Sequence, residues 1–298
     1  MLITQKQLFF TILCSVFFLM HCTRAQAAEN TVAGTGEEMI KYDTTPVVIT
    51  PYPQGRWSAL RAGVGIGTVM HRDMGTGPTR YFGIAASPTF GLWYDRPRWS
   101  LHIDMPVGLG ILTNTVAGGM GMDAYDITLA PEAKILIAPQ REWVKYRFMV
   151  GGSLTDQVHV ANHPNYENAA AGFTNFFGVN IIGRVERTMR RHLVHAEVSM
   201  MPIALVSRPG YSYIGNPTAD NDVASSLFSE RESFSKPFAL LSTDVGFDFR
   251  LRNGNRINLS YLWHYAGSGD KCVWRYDHAM HLVNVDFIFA LKQKAPKK

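Results

Sequence analysis

The stretch Leu240-Leu241-Ser242-Thr243-Asp244-Val245-Gly246-Phe247-Asp248-Phe249-Arg250-Leu251 decides the fold. Successive side chains of a strand point to opposite faces, so Leu241, Thr243, Val245, Phe247, Phe249 and Leu251 share one face and Ser242, Asp244, Gly246, Asp248 and Arg250 the other. One face is oily and the other ionic. Asn253-Gly254 follows, a two-residue hairpin turn because both residues tolerate positive φ. The returning strand sets Ile257, Leu259, Tyr261, Trp263 and Tyr265 against Asn258, Ser260, Leu262 and His264. The last segment repeats the pattern, with Val283, Val285, Phe287, Phe289 and Leu291 opposite Asn284, Asp286 and Ile288.

The same two-faced pattern recurs in seven earlier stretches: Trp57–Gly67, Tyr81–Tyr94, Trp99–Ile111, Ala124–Ile137, Val144–Asp156, Phe173–Arg187 and His192–Val206. This predicts an all-β chain of about ten strands, with eight to twelve admitted, each as long as the ~9–11 residues a tilted strand needs to cross a bilayer. The connections alternate in length. Tyr94–Arg98, Pro139–Glu142, Thr188–Arg191 and Arg252–Asn255 are tight, whereas those around Met74, Val116, Pro164, Asn221 and Gly269 are longer and rich in Gly, Asn, Asp, Ser and Pro. Short turns at one end and long loops at the other are the arrangement of an antiparallel transmembrane barrel with short periplasmic turns and long extracellular loops.

The charged face fixes which side is inside. It carries Arg61, His102, Asp104, Asp126, Glu132, Lys134, Lys145, Arg147, Arg184, Glu186, His195, Glu197, Asp244, Asp248, Arg250 and Asp286, while the opposite face carries almost no charge. A soluble core could not desolvate so many ionisable groups. Across a narrow lumen they can pair. The expected lumen network is Arg61, Asp104, Glu132, Lys134, Lys145, Arg147, Arg184, Glu186, Glu197, Asp244, Asp248, Arg250 and Asp286. Trp57, Tyr94, Trp99, Trp143 and Tyr146 near the short turns, and Phe82, Tyr125, Phe173, Phe177, Trp263 and Tyr265 near the long loops, suit the two membrane interfaces.

The ends of the chain read differently. Lys6, the apolar run Leu8–Met20 and Ala25-Gln26-Ala27 fit a secretory signal over residues 1–27. An uncleaved anchor is disfavoured by the short apolar core, and a lipoprotein by His21 before Cys22. Residues 28–56, with Thr45-Pro46 and Ile49-Thr50-Pro51-Tyr52-Pro53, read as an extended periplasmic leader, residues 57–291 as the barrel, and residues 292–298 as a basic tail with Lys292, Lys294, Lys297 and Lys298. Loss of Lys6 and Arg24 takes the formal charge of +5 to +3. No basic patch with interleaved aromatics points to nucleic acid. Cys14 and Cys22 leave with the signal, so Cys272 has no intramolecular partner.

From Trp57 to Leu291 the chain resembles the bacterial outer-membrane β-barrel superfamily. The resemblance rests on the signal, the alternation, the turn lengths and the final strand bearing Phe287 and Phe289. It implies residence in the bacterial outer membrane, contact with outer-membrane lipid, and handling by the barrel assembly machinery. Barrels of this superfamily often end on a terminal aromatic used in assembly; here the chain continues to Lys298, which displaces that signal.

Three functions compete at this stage: a non-enzymatic barrel with a charge-paired, occluded lumen, a narrow pore, and an outer-leaflet hydrolase. A hydrolase would draw on Asp126, Asp156, His159, His163, His264, Asp277 and His278 near the long loops, which read as exposed rim residues. No His-x-Ser-Asn or rim Asp-x-His pattern of the barrel lipases and proteases is present, and Leu101-His102-Ile103-Asp104 lies at the periplasmic end. His159 and His163 have metal-pair spacing only if helical. Pro164 and Asn165 make that segment a loop, so no metal or cofactor is expected. Mixed signs in a barrel of this width predict a filled interior. The longest connection, residues 207–236, with Tyr211, Tyr213, Ile214, Asp220, Asn221, Asp222 and Ser229-Glu230-Arg231-Glu232, is the expected contact surface for an extracellular ligand.

Overall fold

The computed structural model describes residues 56–73, 80–114, 124–138, 146–162, 171–189, 192–207, 231–234, 240–251, 253–268 and 275–294. The signal and leader segments therefore lie outside the described residues, as do Lys145, His163, Cys272 and most of the 207–236 connection. Twelve strands run in chain order: β1 Arg56–Asp73, β2 Tyr81–Asp95, β3 Trp99–Thr113, β4 Ala124–Leu129, β5 Glu132–Ile137, β6 Tyr146–Asn162, β7 Ala171–Met189, β8 His192–Ser207, β9 Arg231–Phe234, β10 Leu240–Arg250, β11 Arg256–Ser268 and β12 Tyr276–Lys294. All pairings are antiparallel, and the sheet closes because β12 pairs with β1 and β8 with β10.

The result is a ten-stranded barrel. One of its ten walls is the interrupted pair β4 and β5, both bonded between β3 and β6. The sequence reading treated Ala124–Ile137 as one strand; the break falls at Ala130-Pro131, since Pro131 has no N–H to donate to the ladder. Ala130 N–H instead donates to Pro106 O at 3.2 Å, and Asp156 N–H to Pro131 O at 3.1 Å. β9 is an additional strand inside the long 207–236 connection and pairs only with the outer end of β8, Ala204–Ser207. At the β10–β11 turn Gly254 takes φ 88°, as the Asn253-Gly254 signal requires, and Leu251 N–H donates to Asn255 O at 2.9 Å.

The barrel runs one residue earlier and three later than the sequence suggests. Arg56 pairs with Lys294 and Ser58 with Lys292, so Lys292–Lys294 belong to β12 rather than to a free tail. Both ends of the barrel thus meet at the short-turn rim, as an even number of strands demands.

The outer surface is the apolar one. Ile66 and Ile84 are each 66% exposed, Val150 64% and Ile203 62%, and Leu60, Val64, Leu92, Leu109, Leu154, Val283 and Val285 share that surface. Buried positions alternate with them and include Asp104, Glu186, Glu197, Asp248 and Asp286. This inversion is stable only with hydrocarbon outside, where a closed barrel also leaves no strand edge unpaired. Exposed Phe90, Phe148, Phe249 and Phe289 widen the apolar band. At its short-turn rim Arg96 lies over Tyr94 and Trp99, 4.5 and 5.9 Å from the ring centroids.

The strands overshoot that band. Eighteen residues in β1, at ~3.3 Å rise and ~45° tilt, reach roughly 40 Å, against an apolar belt of about 25 Å. On β1 and β12 the outward residues turn polar at Thr68 and its register partner His281, whose Nδ1 meets Tyr261 Oη at 2.6 Å. Beyond them Asp277 takes hydrogen bonds from Arg275 Nε at 2.6 Å and Tyr265 Oη at 2.8 Å. On β11 and β12 the long-loop end is thus polar on its outward face, while Phe82 and Ile84 stay exposed at that end of β2.

Candidate functional site

The lumen holds two polar layers. In the short-turn half, Arg61 on β1 binds Asp286 on β12 at 2.7 Å and Asp104 on β3 at 3.4 Å. Trp93 Nε1 donates to the same Asp104 at 3.1 Å, and its ring stacks on His102 at 4.2 Å. His102 Nε2 in turn lies 3.1 Å from Asp95. A second chain of charges runs Lys134–Glu197 at 2.6 Å, Arg184–Glu197 at 3.1 Å, Arg184–Glu186 at 2.8 Å and Arg147–Glu186 at 3.6 Å. Signs alternate along it, so every charge has an opposite neighbour. His195 and Asp244 lie 3.6 Å apart, Asp248 accepts from Asn258 Nδ2 at 2.6 Å and sits 4.0 Å from Arg256, and Glu132 accepts from Ser153. Arg250 lines the same space beside Arg147 and Arg256.

Small residues make room for this layer. A Cβ on Gly63 would lie 1.9 Å from Asp286 Oδ1, one on Gly65 2.0 Å from Asn284 Oδ1, and one on Gly91 2.1 Å from Asp104 Oδ1. At these three positions the space beside the glycine is taken by a neighbouring acid or amide. Gly63→Val is expected to push Asp286 off Arg61 and destabilise the barrel by about 1–3 kcal/mol, measured by urea unfolding in lipid vesicles. An unchanged midpoint would show that Asp286 is free to move.

Two tryptophans depart from the sequence reading. Trp57, expected in the interfacial belt, is 2% exposed and faces inward under Arg256, whose guanidinium lies 4.0 Å from its ring centroid. Trp93 is inward as well, 9% exposed. Both sit on inward registers of β1 and β2, where they form one buried cluster with Ala59 and Ile288 near the short-turn end.

The second layer lies toward the long loops and joins residues expected to be exposed at the rim. Asp126 on β4 and His278 on β12 are 2.8 Å apart, although 152 residues separate them in sequence. His159 on β6 stacks against His278 with ring centroids 4.2 Å apart. Thr128 Oγ1 meets His159 Nδ1 at 2.9 Å, while Gln157 Nε2 contacts Nε2 of both His159 and His264, the latter at 3.0 Å. His71 approaches Tyr276 and His278 at 5.4 and 6.1 Å. Exposure of Asp126, His159 and His278 is 3%, 1% and 0%. The reading of His159 as a solvated loop histidine is corrected, because β6 continues to Asn162 with Gln157, His159 and Ala161 inward. Asp156 and Asp277 fall on outward registers and do not join the layer.

Apolar clusters flank the histidines. Phe176, Met201, Val206 and Tyr276 pack on one side, and Val69, Tyr81, Leu112 and Met280 on another. β6 and β12 stand opposite each other in the ten-stranded ring. Contact between His159 and His278 therefore bridges the full width of the lumen.

These features define a class: a closed, antiparallel β-barrel with an apolar exterior and a polar interior, the build of a barrel that spans a membrane. No family model matches the sequence, and no curated protein matches it significantly. Among solved structures the chain is similar to the outer-membrane protease OmpT of Escherichia coli (TM-score 0.47, 10% identity, 80% of this chain and 97% of that one). It is also similar to the translocator domain of the autotransporter NalP of Neisseria meningitidis (0.40, 12%, 92% and 96%) and to Neisserial surface protein A (0.31, 9%, 78% and 97%). The three differ in what they do, and at these values none carries an argument about activity.

Proposed function

We propose that the protein is a non-enzymatic outer-membrane barrel, closed by its own side chains, whose interactions are made at the protruding long-loop end. The observation that carries this reading is the 4.2 Å approach of His159 to His278 from opposite walls. It is reinforced one layer below by ion pairs between strands that are not neighbours, Lys134 on β5 to Glu197 on β8 and Arg61 on β1 to Asp104 on β3. A selective ion pore is better served by a ring of one sign than by alternating charges. The Asp126–His278 pair has the geometry of an acid–base couple, but hydrolysis needs a substrate bond within reach. Both residues are buried, and His159, which packs on Tyr276 and Phe176, stacks against His278. The 207–236 connection, which carries β9, is the proposed contact for an extracellular ligand, since long loops on rigid scaffolds are where recognition is placed.

Liposome swelling tests the closed state and its cause together. Vesicles containing the protein should not swell in small sugars, either before or after protease nicking of the 207–236 connection, because the seal lies between the walls. Swelling only after nicking would make the loop the plug, and swelling beforehand would establish a pore.

A further inference from the structure

The outer layer holds four of the chain's ten histidines, His71, His159, His264 and His278, and the occlusion of the barrel does not account for them. A filled lumen needs bulk, which Leu or Phe supplies at no desolvation cost. Polar side chains in such a place need partners. His278 Nδ1 is buried and has no hydrogen-bond partner among the described residues.

We propose that Asp126, His159 and His278 form a binding site for a divalent transition-metal ion of the zinc class. One ligand atom of each lies within 4.8 Å of the other two. Two imidazoles and a carboxylate suit Zn(II), whose bonds of about 2.0–2.2 Å place tetrahedral ligands roughly 3.4 Å apart. Closure by an ångström or so at side-chain tips completes the triangle. The three ligands come from β4, β6 and β12, so the ion would tie opposite walls together.

The surroundings prepare the histidines for this role. Gln157 Nε2 is a donor and faces Nε2 of His159, which leaves the His159 proton on Nδ1 to be donated to Thr128 Oγ1. This is the neutral, oriented imidazole that a metal requires, and outer partners of this kind set ligand tautomer and direction. An ion at the centre displaces the Gln157 amide, which retains His264 as its partner. On β1 and β12 the layer stands where the outward surface has turned polar at Thr68 and His281. Three protein ligands leave a fourth position for water.

The test uses the full chain, folded in detergent, stripped with a chelator and titrated with Zn(II) and with Co(II). One equivalent per chain is expected, with a visible Co(II) ligand-field band and none of the near-ultraviolet absorption that a Cys272 thiolate would add. X-ray absorption of the zinc-loaded wild type should show two imidazoles with oxygen filling the remaining shell. His278→Gln and Asp126→Asn are each expected to weaken binding at least about tenfold, and Thr128→Val by about tenfold through His159. Heat-modifiable gel mobility shows whether each variant folds. If one does not, the wild-type stoichiometry and imidazole count decide alone. Absence of one-to-one binding in the wild type, a shell without two imidazoles, or undiminished binding in folded His278→Gln would overturn the site.

Discussion

Arg184→Ala is expected to destabilise the folded barrel by about 3–5 kcal/mol, the cost of breaking a buried ion pair from one side. Arg184 is 9% exposed and is the only described cation bonded to both Glu186 and Glu197. Its removal leaves Glu197 with Lys134 and Glu186 with Arg147 at 3.6 Å, and places two carboxylates in a confined space without the guanidinium between them. Urea unfolding in lipid vesicles reads the change. Adding Glu197→Gln to the variant should deepen the loss, because Lys134 then loses the carboxylate it is paired with. A loss below about 1 kcal/mol would mean that water reaches the layer and screens it.

Val285→Lys should cost about 2–4 kcal/mol, while Thr68→Lys should cost about 0–1, the depth dependence of a lipid-facing charge. Val285 is 49% exposed on the outward register of β12, between Leu259 on β11 and Val64 on β1. Thr68, also outward, sits beside His281 at the edge of the apolar belt. A long lysine stem can reach the interface from the second site but not from the first. Equal and small costs at the two positions would show that this surface does not face hydrocarbon.

Much of the barrel was legible because a strand has a period of two, and the two environments of a membrane barrel differ sharply. Leu259 and Val285 outside, Asn258 and Asp286 inside, needed no more than that alternation, and Asn253-Gly254 fixed one hairpin by its backbone demands. The strand ends were less legible. The two-faced pattern gives β6 only as far as Asp156, an outward acid at which the apolar–polar alternation breaks. In the protein the strand goes on through His159 to Asn162, with Val158 and Val160 on the outward register beyond Asp156. Trp57 was misplaced for a related reason, since an aromatic near a rim suits either the interface or the lumen and only register decides. The pairings across the lumen were out of reach. Lys134 meets Glu197 and Asp126 meets His278 because of the barrel's closure and strand stagger, which follow from the whole ring rather than from any one strand.

The most direct test of the closed, side-chain-filled lumen is single-molecule conductance of the wild-type protein in planar bilayers. The account predicts silence at moderate voltage, because His159 and His278 meet from opposite walls and the charged layer below them is paired. Large, steady openings from correctly folded protein would contradict it and make the barrel a channel.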